Sequence, residues 1–142
     1  MSKLTRQQAL ARLGAGVAED VSAYQALLLL LEEQFDAALH HRSARLAALG
    51  EDVVAVVEAM ELRRRQRVAL VRALLGAEAT MAQAIALCEG EARAGIDAGW
   101  RELALLATEC KRRNQRNNDL LTDQYTIMQR VLQGEDQIYA PR

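Results

Sequence analysis

Apolar residues recur along this chain in steps of three and four, the spacing that holds one face of a helix. A first stripe runs through Val17, Val21, Tyr24, Leu28, Leu31 and Phe35 to Ala38. Gly14 and Gly16 weaken the helix before it, so residues 2–13 are expected to form a frayed or separate first turn. After His40-His41-Arg42 a serine, Ser43, is placed to cap a new helix, because its hydroxyl can accept from a free backbone N–H. The second stripe, Leu46, Leu49, Val53, Val56, Met60, Leu70 and Leu74, predicts a helix from Ala44 to about Leu75. Gly76 stops it, with Arg72 near the negative end of the helix dipole.

Residues 77–99 are less regular. Thr80 predicts a short capped helix reaching Cys88, and Gly90, Gly95 and Gly99 weaken the stretch beyond it. A third long helix takes shape at Trp100, Leu103, Ala107 and Cys110 and continues through Asn114, Asn117, Leu121, Gln124, Met128 and Val131 to Gly134. The expected architecture is all-α: an elongated antiparallel bundle of three long helices over residues 1–134, with a possible short helix. Residues 135–142 lack periodicity and are expected to be a flexible tail.

Composition supports helices. The single proline is Pro141, hydrophobic residues make up 51% and aromatics only 4%, which argues against a β-sandwich or barrel. A net charge of −1 is no nucleic-acid footprint. The longest apolar run, Leu27 to Leu31, is far short of the roughly 20 residues of a membrane span, and the N-terminus lacks a signal-peptide core. Cys88 and Cys110 read as free thiols, which fits a reducing, cytoplasmic setting.

Candidate chemistry is sparse. Glu33, Asp36 and His40 share a helix face, but no second helix offers matching ligands, and the Glu-x-x-His pair of di-iron bundles is missing. Neither a phosphate-binding loop nor a base near either cysteine is present, so no metal, cofactor or enzymatic activity is expected. The clusters Arg63-Arg64-Arg65-Gln66-Arg67 and Lys111-Arg112-Arg113-Asn114-Gln115-Arg116 point around the whole helix, with Glu58, Glu61, Glu102 and Glu109 within pairing distance. Locally paired, solvated faces are the expected outcome.

Asn114 and Asn117 fall where the stripe wants apolar side chains. They either orient this helix against its neighbours, for instance opposite Arg67, or face a partner that comes and goes. Trp100 reads as an anchor of the third helix. Ile138-Tyr139, in an otherwise polar tail, resembles a short docking motif.

The stretch Gly99-Trp100-Arg101-Glu102-Leu103, followed by Cys110-Lys111-Arg112-Arg113-Asn114-Gln115-Arg116-Asn117-Asn118-Asp119-Leu120-Leu121, resembles the FlgN family of flagellar type III export chaperones. Asn118 stands where that family has glycine after the second Asn, and Tyr139-Ala140 stands for its Tyr-Gly. The resemblance implies a non-catalytic, ATP-independent chaperone. It would bind the disordered C-terminal segments of hook-associated (hook–filament junction) proteins and hand them to the cytosolic domain of the export gate. Asn114, Asn117 and Leu121 would line the cargo surface, Trp100 would anchor their helix, and Tyr139 with Ile138 would contact the gate. The rival expectation is a coiled-coil adaptor that forms a homodimer through the same stripes and carries no cargo.

Overall fold

A computed structural model describes residues 4–139, with side-chain surroundings described as far as Gly134. Four helices follow in order: α1 (Arg6–Leu39), α2 (Ser43–Leu75), α3 (Met81–Ala86) and α4 (Gly90–Tyr139). Among the described residues there is no strand.

The first helix begins earlier than its glycines suggest. Gln8 N–H donates to the Thr5 hydroxyl, and Thr5 N–H donates to the Gln8 side chain, a reciprocal capping box. Ala9, Leu13 and Val17 are buried. Apolar burial and the cap together outweigh a cost of about 1 kcal/mol per helical glycine, so residues 6–13 are continuous with the rest of α1.

His41, at φ 54°, turns the chain into α2. Ser43 is the first residue of α2 and makes no capping bond, in contrast to the expectation; Arg42 occupies the cap position. Gly76, at φ 96°, ends α2 as predicted, its N–H donating to the Arg72 carbonyl at 2.8 Å.

Thr80 and Gln83 form a second capping box at the head of α3. The last helix then starts at Gly90, ten residues before the predicted onset at Trp100. Gly99 shows why glycine is tolerated there: a Cβ at that position would lie 3.0 Å from Val17 Cγ1. Close approach to α1 offsets the lost helix propensity. At 50 residues, α4 is about 75 Å long.

Successive long helices run antiparallel, which leaves α1 and α4 parallel, with α1 packed against both α2 and α4. A lower apolar cluster gathers Leu13, Val17, Val71, Ala84, Ile85, Cys88 and Ile96. An upper one joins Leu27, Leu31 and Cys110 to half-buried Tyr24, Leu28, Val53, Val56 and Met60. Between them lies a charged layer. Asp20, 2% exposed, accepts from Arg63 and, at 2.6 Å, from Arg67. A buried carboxylate needs such partners, and this one ties α1 to α2. Arg67 also lies 5.2 Å from the centroid of the Trp100 ring, so the same layer reaches α4.

Candidate binding surface

The α1–α4 seam is marked by three rungs, each a donor on α4 reaching a main-chain carbonyl of α1. The Cys110 thiol donates to Tyr24 O at 3.7 Å, Asn117 Nδ2 to Leu31 O at 2.8 Å, and Gln124 Nε2 to Ala38 O at 2.9 Å. Each rung lies seven residues beyond the last on both helices, the repeat of a parallel coiled coil. Burial raises the Cys110 thiol pKa, so it stays protonated and able to donate. Tyr24 is raised as well, first by burial and then by the Asp20 charge.

The seam positions of α4 follow the same repeat: Ile96, Leu103, Cys110, Asn117, Gln124, then Val131. Down to Gln124 they meet α1. Past that point α1 has ended at Leu39, while α4 continues through residues 125–139, about 22 Å of helix. Tyr125, Ile127, Met128, Val131 and Leu132 are all exposed, by 49–59%. At 100° per residue they share the arc that faced α1 lower down, and Thr122, Asp123, Thr126, Gln129, Arg130 and Gln133 take the other side. This stretch of α4 is an amphipathic helix whose apolar face has no cover among the described residues.

The three cargo-surface positions expected from the sequence, and Trp100 as their anchor, do not form one surface. Asn117 is 1% exposed, and its amide is fully used. Nδ2 donates to Leu31 O and, at 2.9 Å, to Gln34 Oε1, while Oδ1 accepts from Arg116 Nε and Nη2. Arg67, expected opposite the asparagines, pairs with Asp20 instead. Asn114 is exposed, and Leu121 is half-buried at the entrance to the open stretch. Trp100 is half-buried against the lower cluster, about 32 Å of helix away from Leu121. The backbone of α4 is helical through Tyr139, five residues into the expected tail; the side chains of 135–139, Ile138 and Tyr139 among them, and residues 140–142 lie outside the described residues.

The exposed set Tyr125, Ile127, Met128, Val131 and Leu132 is the part that reading each helix separately misses. Its signal lies in a comparison: the α4 stripe outlasts the α1 stripe to which it runs parallel.

Elsewhere the polar groups are mutually engaged. Arg64 and Arg65 pair with Glu61, Arg112 with Glu109, Arg113 with Glu109 and Glu32, and Arg116 with Glu32. Side-chain hydrogen bonds from arginine, foremost Arg64 and Arg112, bring Glu61 and Glu109 down to about 2. Glu33 pairs with Arg45, and Asp36 with His40. Among the described residues no cluster of three or more His, Cys, Asp or Glu is placed to hold a metal ion. No described helix is long and apolar enough to cross a membrane. An open groove of about 810 Å³ lies at the far end, between Leu10, Gly14 and Val17 of α1 and Ile96 and Gly99 of α4.

A family model described as FlgN protein matches residues 1–134. No curated protein and no solved structure matches the chain.

Proposed function

The chain belongs to the FlgN family and so is a flagellar export chaperone, and from that premise we propose that its cargo is the C-terminal segment of hook-associated proteins, held on the open seam of α4. The observation that carries this reading is the apolar face from Tyr125 to Leu132, which continues the α1-packing face after α1 has ended. A cargo segment that must later pack into helical bundles carries an apolar stripe of its own. Laid along α4 as a helix, it covers both stripes at once, as amphipathic helices do in hydrophobic grooves. Leu121 sits at the entrance of that surface and Asn114 flanks it; Trp100 steadies the lower part of α4. Ordering a disordered segment costs about 2–5 kcal/mol, which keeps the complex releasable without ATP. Ile138 and Tyr139, beyond the cargo, contact the cytosolic domain of the export gate, and loading takes place in the cytoplasm.

Titration of the isotopically labelled protein with a C-terminal peptide of a hook-associated protein from the same genome tests the reading. Amide shifts concentrated in residues 120–134 are expected. Shifts confined to the groove between Gly14 and Gly99 refute the assignment. Light scattering that shows a stable dimer indifferent to the peptide favours the coiled-coil adaptor instead. Tyr139→Ala is expected to keep peptide binding and to weaken docking to the gate domain; unchanged docking removes Tyr139 from that role.

A further inference from the structure

The closed part of the seam is unlike the rest of the core. The buried apolar residues of α4 are Ile96, Leu103 and Cys110, and beyond Cys110 the only buried side chain among those described is Asn117. Opposite this polar stretch, α1 presents Leu31 and Ala38, each 2% exposed, and half-buried Phe35. The buried apolar surface of the upper seam therefore comes from α1, where Gln34 and Glu32 flank it, while α4 contributes amides, arginines and half-buried leucines.

We infer that the upper seam is a second, normally closed part of the cargo surface: α4 from Lys111 onward opens as a local unit, and the cargo helix packs against the α1 face that Asn117 and Gln124 cover. The inference rests on the reading of the open seam as the cargo site. Its physical basis is the asymmetry in opening cost. A buried leucine loses its burial when exposed, whereas the amides of Asn117 and Gln124 exchange one set of hydrogen bonds for water. The ion pairs that accompany them, Arg113 and Arg116 with Glu32, are solvent-screened, the Glu32 side chain being 45% exposed. The Arg116 guanidinium over the Phe35 ring, 3.9 Å from its centroid, covers the ring without enclosing it. Segments held in this way sit at the low-stability end of a fold. An apolar cargo residue placed over Leu31 and Ala38 makes a drier seam than Asn117 does, and the open stretch beyond Gln124 supplies the foothold from which the cargo advances.

Hydrogen exchange on the full chain without peptide is the first test. Amides of 112–124 are expected to exchange about tenfold or more faster than those of 97–110, as a cooperative unit. Asn117→Leu with Gln124→Leu, which replaces the two amides of α4 that face α1 by apolar side chains, is expected to slow 112–124 about tenfold while leaving 97–110 unchanged. Equal protection of the two stretches in the wild type overturns the inference, whether or not the variant folds; so does a folded variant with unaltered exchange. The same variant keeps the whole open stretch, yet is expected to bind the junction-protein peptide about fivefold or more weakly, since closure now competes better with cargo. Unchanged affinity alongside slowed exchange refutes entry into the closed seam and leaves the open seam standing as the cargo site. Absence of peptide binding by the wild type overturns the cargo reading itself, and this inference with it.

Discussion

Replacing Ile127 and Val131 by aspartate tests whether the open face of α4 carries binding energy. The two side chains are 58% and 59% exposed, so slightly more than half of each remains for a partner to cover. Full burial of such a side chain contributes about 1.5–3 kcal/mol, so this remaining cover is worth about 1–1.5 kcal/mol per residue and about 2–3 kcal/mol for the pair. At 1.4 kcal/mol per tenfold, Kd for a hook-associated C-terminal peptide should rise about 30- to 150-fold, and more where the new carboxylates are desolvated. The control is Thr126→Asp with Gln133→Asp, which adds the same charge on the polar face, where both residues are exposed. Calorimetric titration reads both variants. Thermal melts should stay close to wild type, because exposed substitutions change stability by only about 0.5 kcal/mol each. An Ile127→Asp/Val131→Asp protein that folds and binds within threefold of wild type refutes the argument, as does a control that loses as much affinity.

Asp20→Ala leaves Arg63 and Arg67, whose side chains are 21% and 14% exposed, without their shared counter-charge. The expected loss is about 3 kcal/mol or somewhat more, a fall in Tm of about 10 °C, measurable by calorimetry. Asn117→Ala strands the Gln34 and Arg116 partners and should cost about 1–3 kcal/mol in urea unfolding, whereas Asn114→Ala, on an exposed site, should stay within about 0.5 kcal/mol. Glu61 and Glu109 have folded-state pKa values of about 2, below their ordinary 4.5. Their stabilising contribution is complete above pH 4.5 and is lost as pH falls towards 2, so urea midpoints should drop across that window. Glu61→Gln with Glu109→Gln should flatten the drop, and high salt should shrink it.

How legible this fold is depends on which force decides each element. The second helix is readable almost to the residue because Gly76 and Arg72 agree with an apolar stripe that runs from Leu46 to Met60 and resumes at Leu70 and Leu74. The starts of α1 and α4 are not, because local propensity at Gly14, Gly16, Gly95 and Gly99 opposes helix; packing between two helices distant in sequence overrides it, joined at the start of α1 by the Thr5–Gln8 capping box. Asp20 is invisible in the stripe for the same reason: it reads as a polar residue between Val17 and Val21 until Arg63 and Arg67 arrive from α2. Asn117 is readable as a seam residue, but its carbonyl partner at Leu31 depends on the register between α1 and α4. The open apolar stretch belongs to no single helix. It is a difference in reach between two parallel helices, one ending at Leu39 and the other continuing past Gln124.

The rungs between α1 and α4 join residues 86 positions apart, whereas α1 meets α2 across a three-residue turn. Nearby partners meet first, so the α1–α2 hairpin closes while α4 has yet to be made. At about 5–20 residues per second, translation delivers each rung's donor roughly 4–17 seconds after its carbonyl. Throughout that interval the newborn chain bears an uncovered apolar strip awaiting a late-arriving helix. It passes through, in its own synthesis, the same predicament from which it later shelters others.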